Sequence, residues 1–179
     1  AIINVISRGY HVDRRGLLEY RPITIETNVV PNAEGSALVR LGSTQVIAGV
    51  KLELGSPFPD TPDEGVLIVN AEYIPAASPT FEPGPPDENA IELARVIDRS
   101  LREAKVVALD KLAIIPGKKV WIVYVDIYVL DHDGNLLDAS MLATMAALAS
   151  TKIPYYEVVN PDTAEIKVDK KNRTQPLPI

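Results

Sequence analysis

The feature that most constrains this chain is a series of strand-like runs crowded into its first half. Ile23 to Val30 is rich in β-branched residues, Ser36 to Leu41 and Gln45 to Leu54 alternate, and Val66 to Ile74 is apolar. Successive side chains on a strand point to opposite faces, so alternation of this kind marks half-buried strands. Gly35, Gly42 and Gly49 punctuate the runs. Only short turns separate them, which favours antiparallel pairing.

The pattern then changes period. Asp87, placed after Pro86 and before Glu88, suits a helix N-cap. Ile91, Ala94, Ile97, Leu101, Ala104 and Ala108 follow at helical spacing, which predicts one buried face. Val120 to Leu130 reads as a long strand, Asp131-His132-Asp133-Gly134-Asn135 as a turn, and Leu137 to Ser150 as a second helix. Tyr155 to Val159 and Glu165 to Val168 read as two short strands joined at Asn160-Pro161-Asp162. Strands, a helix, a strand, a helix and further strands make an α+β domain with a mixed, mostly antiparallel sheet. Residues 1–179 are expected to form one domain. Pro176 to Ile179 reads as the start of another strand, so a C-terminal truncation is expected, and Ala1 in place of Met suggests a trimmed start.

Composition removes several function classes. The chain has no cysteine, which excludes disulfides and thiolate metal sites and fits a reducing cytoplasm. No apolar run approaches the ~20 residues that span a bilayer, so no membrane role is expected. A net charge of −6 argues against a generally basic nucleic-acid surface, but a local basic site remains open.

Two loops are rich in proline, Pro57 to Gly65 and Ala76 to Asp87. The second is long enough to be either functional or a stiff connector. The chemistry-bearing candidates are few. Arg95, Arg99 and Arg102 stand at i, i+4 and i+7 on the predicted helix, off its apolar stripe. Guanidinium groups in a row suit successive phosphates of a single strand. The other reading is a solvated face whose arginines pair with Glu92 and Asp98. His11 and His132 adjoin no nucleophile motif, so acyl transfer is not expected. Asp131, Asp133 and Asn135 match only a fragment of a calcium loop and read as an ordinary turn. Asp126 and Asp138 flank the last long strand and second helix without forming an acid/base motif. No Gly-rich phosphate loop is present, and no cofactor or metal is expected.

Longer motifs carry a resemblance. Asp13-Arg14-Arg15 with Tyr20-Arg21-Pro22 resembles the opening motif of the RNase PH family, and Gly35-Ser36-Ala37-Leu38-Val39 with Leu41-Gly42-Ser43-Thr44 resembles its next block. The stretch from Phe81 to Arg102, reading Phe-Glu-Pro-Gly-Pro-Pro-Asp-Glu-Asn-Ala-Ile-Glu-Leu-Ala-Arg-Val-Ile-Asp-Arg-Ser-Leu-Arg, is similar to the family's partner-subunit branch in the archaeal exosome. The resemblance implies a fold like ribosomal protein S5 domain 2. It also implies a six-membered ring in which this chain alternates with a catalytic RNase-PH-type subunit. Single-stranded RNA enters the ring, RNA-binding cap subunits sit on it, and phosphate releases nucleoside diphosphates from the 3′ end.

In that family the working subunit supplies a phosphate-binding Ser-Arg pair and a catalytic aspartate. Here the corresponding stretches read Gly134-Asn135-Leu136-Leu137 and Lys170-Lys171-Asn172-Arg173-Thr174-Gln175-Pro176. Leucines do not hold phosphate, and the second stretch offers no carboxylate. The expectation is therefore a subunit with no catalytic residues, contributing Arg95, Arg99 and Arg102 to RNA binding. Within the resemblance Arg95 and Arg99 match the RNA-contacting positions, and Arg102 follows one turn later. Two alternatives stay open: an active phosphorolytic exoribonuclease, and a purely structural ring subunit without RNA contact.

Overall fold

A computed structural model describes residues 1–81 and 83–179. Glu82, within the second proline-rich loop and the Phe81–Arg102 motif, lies outside the described residues. A short helix α1 (Ile2–Ile6) opens the chain. Four strands follow: β1 (Ile23–Thr27), β2 (Gly35–Leu41), β3 (Thr44–Gly55) and β4 (Val66–Tyr73). Helix α2 (Glu88–Glu103), β5 (Ala113–Ile115), β6 (Lys119–Asp131) and α3 (Leu136–Ser150) come next. A hairpin of β7 (Lys152–Asn160) and β8 (Glu165–Pro176) closes the order.

The main sheet runs β1-β2-β3-β6-β4, with the short β5 also paired to β6. As expected from the short turns, β1, β2 and β3 pair antiparallel, with Ala37 opposite Ala48 and Val39 opposite Val46. β4 departs from that expectation. It pairs parallel with β6, which lies between it and β3. The cause is the helix between them: α2 carries the chain back across the sheet, and a strand entered through such a crossover runs parallel.

Alternation sets the core. Val46, Ala48, Val50 and Leu52 of β3 and Val123, Val125, Ile127 and Val129 of β6 are fully buried, side by side in register. Both longer helices pack on this face. α3 lies across β2 and β3 through Ala139, Ala143, Ala147 and Leu148. Its small side chains allow a close approach: a Cβ on Gly35 would stand 2.1 Å from Thr151 Oγ1 and 2.5 Å from the Ala147 carbonyl.

α2 packs on β4 through Ala90, Leu93, Ile97 and Leu101. The predicted stripe is thus rotated. Ile91 is exposed, Ala94 is half-buried, and Ala104 and Ala108 lie beyond the helix end. The helix stops because Lys105 turns left-handed at φ 50°. Val106 N–H then reaches back to the Leu101 carbonyl at 3.0 Å and Lys105 N–H to that of Arg102 at 3.1 Å, the two bonds of a Schellman ending.

The last strands are longer than the sequence pattern suggests. Their hairpin is seated by Tyr156 edge-on to Trp121, with ring centroids 5.9 Å apart. Pro176 to Ile179 does not begin a further strand within the described residues. Leu177 N–H bonds the Thr151 carbonyl at 3.0 Å, the Pro178 carbonyl accepts from Ala108 N–H at 2.9 Å, and Leu177 is buried. A buried anchor with paired backbone groups ends β8 there.

Candidate nucleic-acid interface

Helix α2 presents the arginine row, and its entry is fixed by local chemistry. Asp87 caps it, Oδ1 accepting from Ala90 N–H at 2.9 Å, and Glu88 lies in the positive first turn. The preceding loop is pinned by ring stacking. Phe81 lies 4.7 Å from Tyr73 and 5.7 Å from His132, and His132 N–H bonds the Ala77 carbonyl at 3.2 Å. Burial, with Asp87 and Glu92 nearby, pushes the Tyr73 hydroxyl above the ordinary tyrosine range.

The three arginines have different surroundings. Arg95 is exposed and forms no ion pair among the described residues. It borders a groove between α2 and the open edge of β4, beside Phe58, Ile68, Asn70 and Ile91. Arg99 reaches solvent with 82% of its side chain exposed, and its Nε lies 3.4 Å from Glu103 Oε1. A pair that exposed contributes little and yields readily to a phosphate. Arg102 is engaged on two sides. Its Nε donates to Asp98 Oδ2 at 2.8 Å, and its Nη2 donates to the Leu67 carbonyl on β4. Of the two expected acidic partners, Asp98 takes Arg102, while Glu92 forms no ion pair among the described residues.

The turn from β6 into α3 is held from below. Arg21 donates to the carbonyls of Asp133 at 2.7 Å and Gly134 at 3.0 Å. Thr44 Oγ1 donates to the Gly134 carbonyl at 2.7 Å and accepts from Asp133 N–H at 3.0 Å. Gly42, at φ 58°, lies under the Arg21 stem, where a Cβ would stand 2.9 Å from Cδ. These contacts explain Tyr20-Arg21-Pro22 and Leu41-Gly42-Ser43-Thr44 as two halves of one clamp. The sequence marks both motifs but not their meeting, because 112 positions separate Arg21 from Asp133 and 89 separate Thr44 from it.

Asn135 caps α3 from a left-handed conformation (φ 55°, ψ 48°), its amide donating to Asp138 Oδ2 at 2.8 Å. Leu136 is half-buried and Leu137 exposed. The first turn of α3 therefore carries two leucines and a carboxylate, and the nearby guanidinium of Arg21 is spent on carbonyl oxygens. Such a turn has no side chain with which to grip inorganic phosphate. Asp126 lies half-buried in β6, opposite Gly49 and Asn70 and away from Asp138 on α3. Among the described residues no cluster of three or more His, Asp or Glu side chains has the arrangement of a metal site, and no helix is long and apolar enough to cross a membrane.

The sheet, the α2 crossover and the clamped β6–α3 turn are the frame of an RNase PH-type domain. Residues 19–154 match the 3′ exoribonuclease family, domain 1 (RNase PH), and the chain belongs to that family. The exosome complex component Rrp42 of Pyrococcus abyssi is 56% identical over 178 residues, which are 99% of this chain and 64% of the relative. The protein of the same name from Aeropyrum pernix is 55% identical over 179 residues, again 64% of its length. The chain thus spans just under two thirds of these relatives. Among solved structures, an Archaeoglobus fulgidus exosome with RNA bound to the active site superposes with a TM-score of 0.84 at 55% identity, covering 98% of this chain and 66% of that one. An archaeal exosome core gives a TM-score of 0.77 at 49% identity over 98% of this chain and 63% of that one.

Proposed function

We propose that this chain is the non-catalytic, RNA-binding ring subunit of an archaeal, cytoplasmic exosome. It alternates with a catalytic RNase-PH-type subunit and completes that subunit's site for 3′-to-5′ phosphorolysis. The observation that carries this reading is the start of α3. Where a phosphorolytic subunit must hold phosphate, this chain has Leu136 and Leu137, and Arg21 is locked onto the carbonyls of Asp133 and Gly134. A site without a phosphate grip has no nucleophile to deliver.

The arginine row supplies the other half. Arg95 and Arg99 are uncommitted or weakly paired on an exposed helix face and hold backbone phosphates of a single strand entering the neighbouring site. Arg102 extends the same row by a turn, and its present role is to brace α2 on β4. Backbone contacts carry no base information, so binding is indifferent to sequence. The loop from Ala76, pinned by Phe81, buttresses the subunit interface. RNA-binding cap subunits complete the assembly.

Phosphorolysis of a short single-stranded RNA tests the reading, with the chain alone and mixed with a catalytic RNase-PH-type subunit. Activity only in the mixture, reduced by Arg95→Ala with Arg99→Ala, is expected. Phosphate-dependent release of nucleoside diphosphates by the chain alone would overturn it, and a double variant as active and as tightly bound to RNA as the wild type would leave a purely structural subunit.

A further inference from the structure

A second basic site lies apart from the α2 arginines, in the closing hairpin. Between the partners Tyr155–Asp169 and Pro154–Arg173, β7 advances by one residue while β8 advances by four. Lys170, Lys171 and Asn172 are thereby left without partners and bulge from the strand. Pro154 explains the break, since it has no N–H to continue the ladder. Bulges re-aim side chains, and here two of the three are cationic.

The bulge is held, not slack. Arg173 closes it by donating from Nε to the Lys170 carbonyl at 3.2 Å. Its Nη1 donates to the carbonyls of Ala33 at 2.6 Å and Pro31 at 3.2 Å, and its Nη2 to that of Asn32 at 3.3 Å. Asp169 Oδ1 accepts from Lys171 N–H at 3.1 Å. The clasped bulge lines a groove with Lys51 and Glu53 of β3. Lys51, Lys170 and Lys171 are all exposed, and none forms an ion pair among the described residues.

Two carboxylates border the groove, but one of them is withdrawn. Glu34 is buried and its Oε2 accepts from Leu52 N–H at 3.1 Å. Glu53 faces the lysines from solvent, and the exposed Asp169 is engaged by Lys171 N–H. Holding three ammonium groups around one groove, with the Arg173 guanidinium beneath them, costs mutual repulsion that an incoming anion relieves. Lysines act on phosphate as flexible point charges, with no demand on its orientation.

We propose that Lys51, Lys170 and Lys171 form a second phosphodiester-binding site, separate from the α2 arginines, which holds the backbone of single-stranded RNA. The choice of RNA as the phosphate-bearing ligand rests on the RNA-binding role proposed above. The groove itself is independent of it.

The test titrates the full chain with fluorescein-labelled single-stranded oligoadenylate over a range of salt concentrations. Three variants are compared: Lys51→Gln/Lys170→Gln/Lys171→Gln, the matching Lys→Arg triple, and Arg95→Ala/Arg99→Ala. The glutamine triple is expected to bind more weakly. It should also flatten the slope of log affinity against log salt by about 2, because each phosphate neutralised on a single strand adds roughly 0.7 to that slope. The arginine triple, which keeps the charge, should retain the wild-type slope. Both lysine variants should keep the wild-type circular dichroism, since the clasp depends on Arg173.

Unchanged affinity and slope in a folded glutamine triple would overturn the lysine site and leave the α2 reading standing. Weaker binding by the glutamine triple, with Arg95→Ala/Arg99→Ala binding as the wild type does, would support the lysine site and count against the α2 row. If the glutamine triple no longer binds polyglutamate while keeping RNA affinity, the groove receives an acidic protein segment and the RNA proposal fails.

Discussion

Replacing Arg102 by alanine separates a bracing arginine from those that face solvent on the same helix. The guanidinium makes a charge-assisted hydrogen bond to the Leu67 carbonyl, in a partly buried position on the edge strand β4. A hydrogen bond with one charged partner contributes about 1.5–3 kcal/mol. The ion pair with Asp98, whose side chains are 43% and 30% exposed, adds no more than about 0.5 kcal/mol after screening. Water reaches this edge and replaces part of the interaction, so the expected cost is about 2 kcal/mol. For a chain of this size that corresponds to a fall in Tm of about 4–8 °C. Arg99→Ala removes only an exposed pair and should shift Tm by less than about 2 °C. Urea and thermal unfolding of the two variants, beside RNA titration of the assembled complex, give the comparison. The expected pattern is a stability loss concentrated in Arg102→Ala and an RNA-affinity loss concentrated in Arg95→Ala and Arg99→Ala. An Arg102→Ala protein with wild-type Tm and an RNA defect equal to that of Arg99→Ala would refute it.

Three further substitutions follow from the packing. Gly35→Ala should cost at least about 2–3 kcal/mol by urea unfolding, because its Cβ meets the backbone of α3's last turn as well as Thr151. Lys105→Gly should stabilise the chain by about 0.5–1 kcal/mol, since it removes a side chain from a left-handed helix ending while keeping both Schellman bonds, and differential scanning calorimetry would register the gain. Thr144→Val should raise stability by about 1 kcal/mol, because the Thr144 hydroxyl is buried without a hydrogen-bond partner, and an unchanged or lower urea midpoint would show that the hydroxyl has one.

Much of the architecture is legible in the sequence because short-range chemistry specifies it. The alternation in β2 and β3, the long strand β6 and the turns between the first three strands reappear in the observed registers. Asp87 caps α2 as expected, through Ala90 N–H. What escapes is what depends on distant partners. The pairing of β4 is decided by β6, which arrives after a helix, although strand–helix–strand order is itself a signal for a parallel neighbour. The buried face of α2 is misplaced by periodicity because Ile91 and Ala94 are as apolar as Ala90 and Leu93. The excess lies along the groove that Arg95 borders. The arginine spacing is visible, but the engagement of Arg102 with a carbonyl 35 positions away is not. The RNase PH resemblance, by contrast, is written in contiguous motifs and is met by the family match over residues 19–154.

The position of β6 has a consequence for how the chain reaches its native state. This strand fills the gap between β3 and β4, yet it is made after both of them. Until Asp131 has left the ribosome, the β1–β2–β3 meander and β4 each present an unpaired edge to the cell. Pairings of such long sequence separation form slowly, and open edges are sites of off-pathway association. β6 is thus the last strand of this sheet to be made, and until it inserts, the open edges of β3 and β4 expose the chain to off-pathway association.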